Sequence, residues 1–401
     1  MIDRVRLIPY FIILAISVPL MSTDLYLPAM PIMVGDFGTT DDLVQNSIST
    51  YYLGLVISAI LYGPLSDAYG RRPILLTGFG LFLLSSIFLM FASNIDQLLL
   101  FRGLQGLGGG VSAALSPAII RDRFSERESG KIIAQMSIFI LLTPAAAPIL
   151  GGYLTTHFGW RSCFVFIMAS VLISFLLFFK FFPETHPEEH RTKFRLRPLL
   201  RAYKQVLSNR SFFFYVLVHA LPSAGIFCYI TTLPFVFIKY MGVPTEVFGY
   251  YVFGQILMIS FTSFLVQRII ASKSSNMMMS WGLGLYLIGS LGCLTAATLF
   301  FNSPVAATLL ALPYFMANAF IFPTSMAKAM SFAGNARGAA ASCIATARQF
   351  FAFLGSFIAA ILPDASLLPT SIFLVIVTMI GIASFYLAQR WEKVLAHGTA
   401  S

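Results

Sequence analysis

Twelve runs of apolar residues, each roughly twenty long, constrain this chain more than any other feature. They lie near Leu7–Val34, Val44–Gly63, Ile74–Ser93, Gln97–Ile120, Ile132–Thr156, Cys163–Phe182, Phe212–Ile238, Val247–Gln267, Asn276–Phe300, Pro304–Thr324, Ala339–Leu362 and Leu367–Leu387. A run of that length crosses a bilayer as a helix, because hydrocarbon offers backbone N–H and C=O groups no partner outside the segment itself. Composition agrees: 10% of the 401 residues are charged and 58% are hydrophobic, whereas soluble domains carry roughly 25% charged residues. The expected fold class is all-α integral membrane with twelve transmembrane helices. Catalysis is not expected. The longest break, Pro183–Ser211, is too short to enclose an enzyme core, and the chain has no G-x-x-x-x-G-K-[ST] phosphate loop for ATP.

The formal net charge of +10 invites a nucleic-acid reading, and the placement of the charge argues against it. With the N-terminus inside, 22 Lys and Arg fall on the inner side of the spans and 2, Arg161 and Lys239, on the outer side. That asymmetry follows the positive-inside rule and sets both termini in the cytoplasm. The basic residues are read as topology and contact with anionic membrane lipid, with no nucleic-acid partner. Arg4 and Arg6 before an apolar run look like the start of a secretory leader. The run is too long for one and no small-residue cleavage site precedes Tyr26, so a retained first helix is expected. Cys163, Cys228, Cys293 and Cys343 sit on different spans with no C-x-x-C pair. They are read as buried small apolar residues, with no disulfide and no metal.

Pro183–Ser211 divides the chain into an N-terminal half (1–182), a cytoplasmic linker (183–211) and a C-terminal half (212–401). Within the linker, Lys193 to Lys204 alternates basic and apolar residues. It reads as a short helix on the lipid surface or as a solvated connection.

Between the second and third runs stands Gly63-Pro64-Leu65-Ser66-Asp67-Ala68-Tyr69-Gly70-Arg71-Arg72-Pro73. Gly63 and Gly70 allow close helix approach and a sharp reversal, while Asp67, Arg71 and Arg72 sit where water begins. The run resembles the signature loop of major facilitator superfamily transporters, G-x-L-x-D-x-x-G-R-R/K. The resemblance implies two six-helix halves related by a pseudo-twofold axis, a small-molecule site near mid-membrane, alternating access and action as a monomer. After the fourth span, Arg121 and Asp122 resemble the R-D pair found at this place in one subgroup of that superfamily, the Bcr/CflA drug exporters. The expected role of these residues is a gate, with Asp67 meeting Arg121 and Arg71 or Arg72 meeting Asp122. Such pairs add little stability singly, yet they bias two conformations that differ by a few kcal/mol. In the second half, Ser331–Gly338 occupies the place of the Arg121–Gly130 loop.

Three charges lie where hydrocarbon is expected. Asp24, in Ser22-Thr23-Asp24-Leu25-Tyr26-Leu27-Pro28-Ala29-Met30-Pro31, stands about 25 Å along a helix that begins near Leu7. A carboxylate at that depth costs about 3 kcal/mol on insertion scales. Protonation, a water-filled cavity or an Arg partner relieves it, and each also serves a proton-coupled carrier. The alternative places Asp24 at the outer interface, ending a helix broken by Pro28 and Pro31. The segment resembles D-M-Y-L-P-A-L/F-P of the Bcr/CflA subgroup of bacterial drug exporters, with Leu25 in place of Met. Arg102, in Phe101-Arg102-Gly103-Leu104-Gln105-Gly106, resembles the R-x-x-Q-G element of proton-coupled members and is expected to tune Asp24. Snorkelling to the outer interface is the alternative. Arg348 departs from the subgroup, which has an apolar residue just before Gln349. It is read as favouring anionic or zwitterionic solutes, or as lying at the inner interface.

Leu142 to Gly152 resembles the fifth-helix motif of antiporters, with Thr143 and Ala147 where Gly is common. Pro144, Pro148, Gly151 and Gly152 are expected to let that helix bend and press flat on a neighbour. Tyr26, Tyr51, Tyr52, Gln105, Tyr229, Gln255, Asn318 and Gln349 are candidate cavity residues of mixed aromatic and amide character. His219 is a candidate proton relay or an interhelical hydrogen-bonding residue. The expected protein is a Bcr/CflA-type carrier of the bacterial inner membrane that exports small amphipathic molecules in exchange for protons, with the proton gradient as energy source and no cofactor. The alternatives are a dedicated exporter or importer of one metabolite, such as a siderophore or amino acid, and a proton-independent uniporter.

Overall fold

A computed structural model describes residues 7–398 apart from 195, 271, 335 and 363–365. Arg4, Arg6, Arg195 and Asn335, which entered the charge and loop readings, lie outside the described residues. The helices are α1 Ile8–Asp24, α2 Met30–Phe37, α3 Asp41–Tyr69, α4 Arg71–Met90, α5 Ile95–Arg123, α6 Glu126–Phe158, α7 Arg161–Phe181, α8 Leu196–Ser208, α9 Arg210–Pro234, α10 Thr245–Ile269, α11 Ser275–Leu299, α12 Pro304–Ser331, α13 Arg337–Ile361 and α14 Leu368–Gly398. Twelve stretches are long and apolar enough to cross a membrane, one for each expected span.

Several helices outrun their apolar cores because polar caps extend them. The side chains of Asn94, Ser125, Asn209, Ser274 and Ser303 each accept a backbone N–H from the first turn of the following helix. These caps satisfy donors that have no partner within the helix. The first span behaves differently. It runs from Ile8 to Phe37, but Pro28 and Pro31 lack the N–H that a continuous helix needs at those positions. The chain therefore leaves α1 at Asp24, makes a 3₁₀ turn over Leu27–Ala29 and restarts as α2. The break puts Asp24 well inside the span, not at its outer end.

The chain forms two compact units. Unit 1 comprises Met1–Arg195 with Val243–Phe253, and unit 2 comprises Leu196–Gly242 with Gly254–Ser401. In unit 1, α5 packs on α3 and α4, and α7 packs on α4. Glycine permits close approach of α5 to α3: a Cβ on Gly106 would overlap the Tyr51 carbonyl. The first turns of α10 join unit 1 because Gly249 seats against the backbone of Pro148 and Ile149 on α6. In unit 2, α9 packs on α13, α14 and α12, and α11 packs on α12 and α14. The linker is folded onto both. Residues before 195 contact the α3–α4 turn of unit 1, whereas α8 joins unit 2, where the Tyr203 hydroxyl and Ser342 Oγ are 2.6 Å apart.

Candidate functional site

The break after α1 organises a polar cluster in the interior of unit 1. Arg102 is fully buried on α5, which excludes snorkelling. Its Nη1 donates to Ser22 O (3.1 Å), at the end of α1, and to Gln105 Oε1 (2.5 Å) one turn along α5. Gln105 Nε2 in turn donates to Ser86 Oγ of α4 at 2.9 Å. The guanidinium carbon lies 4.4 Å from the ring centroids of both Tyr26 and Tyr51, within the range at which a cation is attracted to an aromatic face. The two phenols are fixed from behind. Tyr51 OH donates to Pro19 O (3.0 Å) and accepts from Ser22 Oγ (3.1 Å), while Tyr26 OH and Ser47 Oγ are 3.0 Å apart. Tyr52 is buried beside Tyr51, their rings edge to face at 6.0 Å.

Asp24 is half-buried at the end of α1, two residues from the carbonyl that Arg102 holds. Among the described residues no ion pair joins the two. Among the described residues, Arg102 Nε and Nη2 have no hydrogen-bond partner. A buried guanidinium with two of its nitrogens unused is electrostatically strong, because the low-dielectric surroundings barely screen it. The sequence-predicted residues Asp24, Tyr26, Tyr51, Tyr52, Arg102 and Gln105 thus meet in one place. Ser22, Ser47 and Ser86 belong to the same network and carry no sequence signal, since serines in apolar helices usually bond to their own backbone.

The fifth-span motif abuts this cluster. A Cβ at Gly151 would overlap the carbonyl of Leu25, and one at Gly152 would press on the Thr245 backbone. Small residues therefore hold α6 against the α1 break, with Pro144 and Pro148 inside the same helix.

At the α3–α4 turn, Arg71 is buried and forks between two acids. Nη1 donates to Asp67 Oδ1 (2.6 Å) and Ser66 Oγ (2.6 Å), and Nε donates to Asp122 Oδ2 (3.0 Å). The expected contact of Arg71 with Asp122 is present. The expected contact of Asp67 with Arg121 is not the one formed: Asp67 pairs with Arg71, and Arg121 is exposed. The fork explains the difference, because one planar guanidinium satisfies both acids. Arg72 Nη2 donates to Phe179 O at 2.8 Å. Gly63 is not a close-contact position either, as a Cβ there would meet open space.

Glu184, which carries no sequence-level signal, completes this turn. Its carboxylate accepts the backbone N–H groups of Arg71 (3.0 Å), Arg72 (3.2 Å), Thr185 (2.8 Å) and His186 (2.9 Å). Two of those are the unpartnered donors that open α4, where a negative charge is favoured. Gly70, at φ +99°, supplies the left-handed turn and leaves room, since a Cβ would crowd Glu184 Oε2. Glu184→Ala is expected to cost about 1–2 kcal/mol, the usual effect of removing a helix N-cap. Glu184→Gln, which keeps one acceptor oxygen, should recover part of it, read as the thermal unfolding midpoint in detergent.

In unit 2 the expected cavity residues divide. Tyr229 accepts from Gln255 Nε2 (3.1 Å), and Asn318 Oδ1 accepts from Tyr286 OH (2.5 Å); all four are buried and paired with one another. Each bond joins two helices. His219 is buried with Nδ1 3.1 Å from Ser325 Oγ and its ring 5.3 Å from that of Phe322. Arg348 is exposed on α13, its guanidinium 4.6 Å from the same Phe322 ring, and Gln349 beside it is half-buried. A second ionic lock was not anticipated: Lys328 Nζ and Tyr215 OH donate to the two oxygens of Glu392, at 2.6 and 2.7 Å.

The sequence profile of the Major Facilitator Superfamily matches residues 12–356. The chain belongs to that superfamily. Among relatives, it is 27% identical over 352 residues to a bicyclomycin resistance protein homolog of Haemophilus influenzae, covering 87% of each chain. It is 30% identical over 268 residues to the chloramphenicol resistance protein CraA of Acinetobacter baumannii, covering 67% of this chain and 64% of that protein. The xylose transporter XylE from E. coli superposes with a TM-score of 0.73 at 14% identity, over 97% of this chain and 98% of that one. That likeness shows the fold; the family match and the twelve apolar stretches place this chain among multi-pass membrane proteins.

Proposed function

We propose that this superfamily member is a proton-coupled exporter of small amphipathic molecules, working by alternating access in the bacterial inner membrane with both termini in the cytoplasm. The observation that carries the reading is the α1 break, where a carboxylate sits well inside a span beside a fully buried arginine. Such a carboxylate exists at tolerable cost when it can exchange its charge for a proton or a cationic group. Asp24 is the acid for which proton and solute compete, and Arg102 holds the local geometry and sets the field at that acid. The Arg71 fork and Glu184 form a gate element on the expected cytoplasmic side. The resistance proteins named above support export of drug-like molecules.

A groove of about 520 Å³ between α1 and α6 suits an amphipathic guest. Ile13, Leu14, Ile138 and Phe139 form its apolar wall, and Ser17, Gln135 and Thr143 supply polar groups. Ser17 lies two turns before Asp24 on the same face of α1. Cells expressing the protein should accumulate less of a lipophilic aromatic dye than control cells, and a protonophore should erase the difference. Greater accumulation would indicate import, and export indifferent to the protonophore would indicate a uniporter.

A further inference from the structure

We propose that the solute carries an acidic group, of carboxylate type, which unit 2 recognises through Arg348. The inference rests on the reading of the chain as a proton-exchanging carrier and adds the chemical class of what it carries. Arg348 lies about 16 Å along α13 from Arg337, close to the middle of a span that ends at Ile361. It is exposed there. A guanidinium at that depth faces water or protein, since facing hydrocarbon costs several kcal/mol.

The helix itself distinguishes the two sides. The exposed large apolar residues of α13 are Phe350, Phe357 and Ile361, about 180–220° round the helix from Arg348 at 3.6 residues per turn. That is the face suited to lipid. The side that bears Arg348 carries Ala341 and Ala345 in the preceding two turns, the second of them exposed. Arg348 therefore projects from the face turned away from lipid, with its guanidinium over the ring of Phe322 of α12.

The charge balance of unit 2 strengthens the assignment. Its sequence contains two acids, Asp364 and Glu392. Glu392 is engaged by Lys328 and Tyr215, and Asp364 follows the described end of α13. Basic residues outnumber these two acids in unit 2, so the unit as a whole carries net positive charge, which favours an arriving carboxylate. Arginine also offers the forked donor geometry that fits a carboxylate, and the Phe322 ring gives an aromatic surface next to it. The proposed exchange at Asp24 is favoured by a basic group on the solute, so the probes carry an amine as well as the acid.

The test uses purified full-length protein in liposomes with an entrapped pH dye. The probes are aromatic amines bearing a carboxylic acid, each paired with its methyl ester. Wild type should move protons at lower concentrations of the acid than of the ester, by about tenfold or more, as expected for hydrogen bonds to a charged group. Arg348→Gln should erase that preference, and Arg348→Lys should restore part of it. Equal response to acid and ester in wild type, or an undiminished preference in Arg348→Gln, would overturn the inference while leaving proton-coupled transport standing. Solute flux without proton movement for both members of every pair would overturn the carrier reading itself, and the inference with it.

Discussion

Asp24→Asn is expected to abolish uphill export of every solute the protein carries. Asparagine matches aspartate in shape but takes up no exchangeable proton, so the step that links the two gradients disappears. The size of the effect follows from the energy available. A membrane potential of 100 mV supplies about 2.3 kcal/mol per elementary charge, which sustains a solute gradient of about 50-fold when one charge moves per solute. Inverted vesicles containing the variant should hold a ratio near one under the same potential. Asp24→Glu, which keeps an ionisable group at the α1 break, should retain a measurable gradient. Comparing thermal unfolding of the three proteins separates loss of coupling from loss of fold. A gradient of wild-type size in Asp24→Asn would remove Asp24 from the mechanism.

Arg102→Lys is expected to reduce transport about 10- to 100-fold although the positive charge is kept. Arg102 Nη1 serves two acceptors, Ser22 O and Gln105 Oε1, while the guanidinium plane rests between the rings of Tyr26 and Tyr51. A lysine ammonium is compact, strongly hydrated and unable to stack as a plane, so it cannot meet all four contacts at once. Each hydrogen bond from a charged donor contributes about 1.5–3 kcal/mol, and losing one in the transport-competent state gives the stated range. The Ser22 carbonyl would lose its charged donor and the end of α1 would loosen next to Asp24. Initial rates of substrate-driven proton movement in proteoliposomes provide the readout. Wild-type rates in Arg102→Lys would show that charge alone matters at this position and that the forked contacts do not.

The spans were legible in the sequence because hydrocarbon imposes one rule on every backbone group, and twelve apolar runs obey it without help from tertiary structure. The Asp24 and Arg102 neighbourhood was legible for a related reason. A charge inside an apolar run is costly enough that few arrangements can relieve it, and both residues were expected in one cluster. The contact of Arg71 with Asp122 followed from a family resemblance. What escaped was the choice among several partners of equal chemistry. Asp67 had Arg71, Arg72 and Arg121 within reach of the same turn, and only the fork of Arg71 decides between them. Glu184 stands in a linker with other acids at Glu188 and Glu189, so hydropathy gives it no contrast. Its role depends on where α4 begins in space.

The second half shows a different limit. Tyr229, Gln255 and Asn318 look like cavity residues in a sequence because amides and phenols are uncommon in apolar helices. The structure pairs Gln255 with Tyr229 and Asn318 with Tyr286 across helices. No periodicity within one helix reveals that a polar group on another will pair with it. Arg348 remains distinct from these, because it is exposed and charged.

Proton release on solute binding tests the central claim most directly. Purified protein in weakly buffered detergent solution, with a pH-indicator dye, is mixed with excess of a transported solute at a pH where the unliganded protein holds the proton. Solute and proton that compete for one carboxylate are linked reciprocally. Wild type should therefore release on the order of one proton per molecule, and Asp24→Asn should release none. Equal release from both proteins, or solute binding to wild type without release, would contradict the assignment of Asp24 as the acid that exchanges proton for solute.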